Sequence, residues 1–386
     1  MQLPDAATTI GGLEQAGAKV VLAATGGGAR AIAHLVGTPG ASSVVLEGLV
    51  PYAREAIDRL LGGTQESYCS SRTARRLAVV AWQRARDLGA TAAAAVGAAA
   101  TASLRSRAPK RGPHRLFVAV QTLRATATAS LVLEKGARSR DEEEALAAAI
   151  LLAELAAAAG GPASPLPTDA LRGTERLVHD RCTPPQAWQD LFAGTRDAVR
   201  ADGAEEPPAA RTGRLIFPGS FDPLHEGHLL MARIAEEIAE RPLEYELSIT
   251  NVDKPALDYM EIRDRAAQFA GRPLWLSRAT RFLEKLETFP GGTFVMGADT
   301  YLRLADPRYY AGSTTAATDA ARTIATRAGG LIVFGRSQGD VFLDPAQLDV
   351  PQVLRDVTYF VSQREFRLDL SSTELRRRQR EATCET

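Results

Sequence analysis

His225 and His228 stand three residues apart behind Gly219-Ser220-Phe221-Asp222-Pro223-Leu224, and imidazole N–H groups so placed could donate to the oxygens of a phosphate. The 386-residue chain has five histidines, so two of them in one turn is a concentration that asks for a reason. Around the pair, the apolar run 215–217 predicts a short buried strand, and Gly219, Pro223 and Gly227 predict a tight turn. Leu229, Leu230, Ile234 and Ile238 then fall on one face of a helix expected over 228–240. A helix start offers unpaired backbone N–H groups and the positive end of the dipole, which suits an anion.

Other chemistry-bearing residues follow the same strand, loop, helix pattern. The alternation of Leu243, Tyr245, Leu247 and Ile249 predicts a strand that delivers Lys254, a cation at the strand end where open α/β sheets bind ligands. Asp258 is expected to cap a helix carrying Met260, Ile262, Arg263 and Phe269. Residues 294–300 repeat the pattern with Gly297 and Asp299, the latter suited to cap a helix. A Thr- and Ala-rich stretch over 312–328 precedes a strand at 331–334 and then Arg336. Ser371 and Glu374 have the spacing of a capping box, and with Ser372, Thr373 and Arg376 they gather hydroxyls, N–H groups and a guanidinium at one helix start.

Further elements are expected toward the N-terminus. A strand at 20–22 runs into Thr25-Gly26-Gly27-Gly28 and a helix bearing Ile32, Leu35 and Val36, without the lysine of a Walker-type loop. Helices are predicted over 53–61, from Ser70-Ser71 to 86, and over 142–158 behind an acidic first turn; strands are predicted at 92–96, 116–120 and 127–133. The alternation is that of an α/β domain. Residues 105–115 form a concentrated basic loop, read either as a solvated surface or as an anion site. Domains are expected at 1–160 and 213–386, joined by a partly helical linker over 161–212 where Gly, Pro and acidic residues accumulate.

Forty-six basic residues balance forty-six acidic ones, so no global charge favours nucleic acid or an anionic membrane. Cys69, Cys182 and Cys384 are too few and too scattered for a disulfide framework or a zinc site, and no metal ligand set is read. No signal peptide is read, and the longest apolar runs are too short to span a bilayer. A cytoplasmic protein is expected, its oligomeric state open.

The run Gly219-Ser220-Phe221-Asp222-Pro223-Leu224-His225-Glu226-Gly227-His228 resembles the nucleotidyltransferase superfamily with an H-x-G-H signature. Gly297-Ala298-Asp299 and Ser371-Ser372-Thr373-Glu374-Leu375-Arg376 resemble its nicotinate/nicotinamide mononucleotide adenylyltransferase branch. The resemblance implies a Rossmann-like parallel sheet and transfer of a nucleotidyl group from a nucleoside triphosphate, ATP favoured over CTP, to a phosphate-bearing acceptor. It makes His225 and His228 catalytic, and puts Gly219, Ser220, Phe221, Gly297, Asp299, Arg336, Ser371, Ser372, Thr373 and Arg376 about the nucleotide. Lys254, Arg263 (or Arg265) and Tyr309 go to the acceptor, and Mg²⁺ arrives with the triphosphate. Two departures are the absent downstream tryptophan and Ser337-Gln338 where the branch has proline and glycine.

Thr25-Gly26-Gly27, Thr38-Pro39-Gly40-Ala41-Ser42-Ser43 and Gly48-Leu49-Val50-Pro51-Tyr52 resemble the competence/damage-inducible-protein C-terminal family of nicotinamide-nucleotide amidases, over roughly 10–160. That family implies a serine before the T-G-G turn and a lysine five residues after the tyrosine; here stand Ala23, Ala24 and Ile57, and 97–101 read as an eroded turn. An inactive amidase fold with a vestigial site at Thr25, Gly26 and Gly27 is expected. A cytidylyltransferase, a nucleotide-binding regulatory protein without turnover, and a bifunctional amidase using Thr25 remain as alternatives.

Overall fold

Short apolar strands separated by alanine-rich helices assemble into two sheets, each in its own unit of the computed structural model, which describes residues 3–158, 160, 170–251, 254–338 and 341–362. Both units are α/β.

The first unit comprises residues 1–185 with Asp253–Arg263. Its elements open with α1 (Ala6–Gln15), β1 (Lys19–Thr25), α2 (Ala29–Val36), β2 (Val45–Leu49), α3 (Arg54–Leu60) and α4 (Ser71–Asp87). They continue with β3 (Ala95–Ser103), β4 (His114–Gln121), β5 (Thr126–Leu133), α5 (Arg140–Ala158) and β6 (Val178–Cys182). The sheet order is β2-β1-β3-β4-β5-β6, parallel from β2 to β3 and antiparallel beyond. The alanines at 97–101, expected to be a turn, lie inside β3, which is longer than the predicted strand. Small side chains are needed there because α4 crosses so closely that a Cβ on Gly97 would lie 2.0 Å from the Ala78 carbonyl oxygen. Leu22, Leu35, Leu146 and Leu151 fill one side of the sheet, while Ala23, Ile57, Leu77 and Ala99 fill the other.

The second unit comprises Gln186–Val252 and Asp264–Thr386. It begins with α6 (Gln186–Ala193), β7 (Ala198–Arg200), β8 (Leu215–Pro218), α7 (Glu226–Ala239) and β9 (Leu243–Ser248). Helix α8 (Tyr259–Ala267) starts within the first unit's segment and ends in the second's. Next come β10 (Leu274–Ser277), α9 (Phe282–Thr288), β11 (Thr293–Gly297), α10 (Ala298–Arg303) and α11 (Thr314–Arg327). The last are β12 (Gly330–Phe334), the hairpin of β13 (Arg336–Gln338) and β14 (Val341–Leu343), α12 (Gln352–Arg355) and β15 (Thr358–Val361). Seven strands in the order β15-β12-β11-β8-β9-β10-β7 make a parallel sheet with an antiparallel edge at β7, the Rossmann-like arrangement expected.

The stretch expected to be a linker, 161–212, thus supplies β6 to one sheet and α6 and β7 to the other. Its Pro- and Gly-rich composition conceals edge strands of only five and three residues. Trp188, Leu191, Phe192 and Val199 are buried within it.

Beneath the second sheet, the fully buried Glu246 of β9 accepts from Lys285 Nζ at 2.7 and 2.9 Å and from the Ser277 hydroxyl. Lys285 also donates to the Ala279 carbonyl at 3.0 Å, so the pair joins α9 to β9 and to the end of β10. Glu246→Gln leaves the ammonium without its counter-charge and should cost about 3 kcal/mol, read as a lower urea midpoint.

Candidate functional site

Helix α7 begins at Glu226, two residues before the expected start, so His225 is its N-cap and His228 lies in the first turn. The His225 backbone N–H donates to His228 Nδ1 at 3.3 Å, and the two imidazoles stack with centroids 3.7 Å apart at 24°. An Nδ1 that accepts puts the proton of the neutral ring on Nε2, leaving His228 Nε2–H as a donor. Burial, and then the charge of His225, push the His228 pKa down to about 3. The ring therefore stays neutral at physiological pH.

Its apolar surroundings come from the preceding turn. Phe221 has φ +43°, a left-handed conformation uncommon without glycine, and its buried ring lies edge-on to His228 at 5.1 Å. Position 219 has no room for a side chain, because a Cβ there would meet the Phe221 ring at 2.6 Å. Phe217, Tyr245 and Phe269 pack around the same ring at 5.2 to 5.5 Å.

Two side chains near the end of α8 hold the turn's backbone. Arg265 Nη1 donates to the Ser220 carbonyl at 2.9 Å, and Nη2 lies 3.4 Å from Asp222 Oδ2. Gln268 accepts from the Leu224 N–H at 2.8 Å and donates to the Phe221 carbonyl at 3.4 Å. Arg263, the first arginine expected near the acceptor, instead pairs with Asp180 at 3.4 Å in the first unit, because two residues along a helix turn the side chain to another face. Sequence reasoning weighed Arg265 only as an acceptor contact and missed Gln268. A glutamine 47 residues from its backbone partner has no local signature.

Gly297 ends β11 and is the N-cap of α10, and a Cβ there would meet nothing within 4 Å. Asp299, expected to cap, is instead inside the first helical turn, since the helix starts one residue earlier at Ala298. Tyr309 is half exposed, with the Arg303 guanidinium 5.9 Å from its ring centroid. Its neighbour Tyr310 turns inward and donates to the Leu304 carbonyl at 2.7 Å. Arg336 begins β13, two residues past the end of β12. Lys254 is exposed and falls in the first unit's segment. Ser371, Ser372, Thr373 and Arg376 lie outside the described residues.

In the first unit, Thr25 is buried at the end of β1, and Gly26 and Gly27 lie against Ala102 and Leu104. Glu144 occupies the start of α2, accepting from the Arg30 N–H at 3.2 Å, and Arg140 donates to the Gly26 carbonyl at 3.0 Å. The seat a phosphate would take is filled by the chain's own carboxylate. Ala23 and Ile57, where the resembling amidases imply serine and lysine, belong to one buried apolar cluster. The basic loop is also turned inward in part. The Arg105 backbone N–H donates to Glu143 and its guanidinium to the Arg138 carbonyl, Lys110 donates to Ser103 at 2.8 Å, and His114 lies 2.7 Å from Glu143.

A parallel sheet that carries two stacked histidines at a helix start is the arrangement expected of a nucleotidyltransferase domain. Residues 216–378 match the family model described as cytidylyltransferase-like, and that stretch is a cytidylyltransferase-like domain. A search of curated proteins returned no match. Among solved structures, the competence/damage-inducible protein CihA from Agrobacterium tumefaciens is similar at 20% identity and TM-score 0.34, covering 42% of this chain and 99% of that one. A CinA superfamily protein from Escherichia coli is similar at 20% identity and TM-score 0.33, covering 40% and 92%. One from Enterobacter cloacae has 18% identity and TM-score 0.35, covering 41% and 94%. No helix among the described residues is long and apolar enough to cross a membrane.

The depressed His228 value has a consequence for stability. Between the ordinary value of 6.5 and about 3, the unfolded chain binds a proton here that the folded protein does not. Stability is full above the upper value and falls with pH below it, by up to about 1.4 kcal/mol per pH unit. Urea melts from about pH 7 to pH 4 should show this extra loss in the parent and not in His228→Asn.

Proposed function

We propose that the C-terminal domain transfers a nucleoside monophosphate from a nucleoside triphosphate, ATP favoured, to a phosphate-bearing acceptor such as nicotinate or nicotinamide mononucleotide. An acceptor phosphate oxygen attacks the α-phosphorus, the bond to the bridging oxygen breaks, and pyrophosphate leaves with the electron pair. The acceptor is already ionised, so the site needs no general base. Catalysis rests on positioning and on donors aimed at developing charge.

The observation that carries this reading is the stacked pair at the start of α7, with His228 neutral and its Nε2–H available. A neutral donor at a helix start suits a triphosphate, whose charge would be met by the Mg²⁺ that travels with it. Such an ion keeps several waters and takes its other ligands from the phosphates, so it asks for no protein cage. Among the described residues no group of three or more His, Cys, Asp or Glu side chains is gathered. Lys254, Arg263 or Arg265, and Tyr309 are the acceptor-side candidates from sequence. Of these, Arg265 is committed to the turn's backbone and Arg263 to Asp180. Ser371, Ser372, Thr373 and Arg376 would grip the distal phosphates.

Cytidylyl transfer to a phosphate ester is the second reading, favoured by the family description matched at 216–378. Pyrophosphate release with Mg²⁺, crossing ATP and CTP against both mononucleotides and several phosphate monoesters, separates the two. One productive pair is expected, and His225→Ala should lower its turnover about 10²–10³-fold. A folded protein that binds neither ATP nor CTP in calorimetry would overturn both.

A further inference from the structure

We infer that Arg265 and Gln268 are positioning residues for the histidine turn, fixing where His225 and His228 stand without touching the substrate. The inference rests on the transferase reading for its kinetic consequence and on geometry alone for its structural one.

Between Ser220 and Leu224 the chain must leave β8, reverse and enter α7, and it does so with Phe221 in a left-handed conformation. A non-glycine residue held there persists only where the surroundings over-determine it. Behind the ring these are Phe217, Tyr245 and Phe269, and along the backbone these two side chains, three residues apart and therefore on one face of the helical turn. Between them they meet the Ser220 and Phe221 carbonyls, the Leu224 N–H and the Asp222 carboxylate. The guanidinium is buried, so a water would not simply replace it.

What the clamp fixes is the Phe221 ring, and that ring excludes water from His228. Releasing the Phe221 carbonyl lets the residue relax toward ordinary backbone angles and swings the ring away from the imidazole. His228 is then rehydrated, with His225 still beside it. Its Nε2–H also loses its aim at the phosphates. A displacement of about 1 Å at reacting groups is worth about 10²-fold in rate.

The test uses the full chain with Arg265→Met, Arg265→Lys, Gln268→Ala and the parent. The His228 pKa is followed by imidazole NMR, which needs no turnover, beside kcat and KM for the productive pair. Both deletions should raise the His228 pKa from about 3 toward its ordinary value and lower kcat about 10²-fold, leaving KM little changed. Arg265→Lys, which can still donate to the Ser220 carbonyl, should recover part of both. If the deletion variants fold, by circular dichroism, and His228 titrates as in the parent, the inference fails whether or not the enzyme turns over. A raised pKa in a protein inactive on every pair would leave the clamp standing and overturn the transferase reading instead. Should Arg265→Met not fold, Gln268→Ala decides by the same readouts.

Discussion

The histidine turn depends on one ring, that of Phe221, lying beneath a position that cannot bear a side chain. Gly219 lets the ring approach, the left-handed Phe221 backbone aims it, and Phe217, Tyr245 and Phe269 hold it from behind. The same ring then supplies the dry wall of His228. An aromatic core and a pair of imidazoles here meet across one side chain.

That arrangement decides how the site meets charge. A hydrated imidazole at a helix start would titrate near neutrality, and its donor capacity would change with small shifts in pH. His228 is kept neutral by burial and keeps its tautomer through the His225 N–H, so its donor is constant across the physiological range.

The strand, turn and helix of the site were legible because their signals are local: an apolar run, three turn formers and a periodic apolar face within 26 residues of chain, 215–240. The parallel order of the sheet came from the resemblance of the histidine turn to the H-x-G-H nucleotidyltransferases. The Asp258 cap is also as expected, accepting from the Met260 and Glu261 N–H groups at 2.9 and 3.0 Å. What the sequence concealed is set by distance along the chain or by very short elements. Arg263 and Arg265 look equivalent in one dimension, and only the direction of each side chain from α8 sends one to Asp180 and the other to Ser220. Strands β6 and β7 sit among prolines and glycines, and their partners, β5 and β10, are remote in sequence. The alanines of β3 carry too little side chain to announce a strand, and Gly97 at their head admits α4.

The first unit's apolar pair, Ala23 and Ile57, bears on which sequences this chain can reach by single substitutions. Both are almost wholly buried in one cluster with Leu77, Ala78 and Ala99. A lysine at 57 alone would bring an ammonium into a dry setting with no partner, and a serine at 23 alone would gain a hydroxyl with no base to activate it. Each intermediate is penalised before the pair exists, so packing acts as a ratchet. A nucleophile and its base could enter that side of the sheet only through coordinated changes.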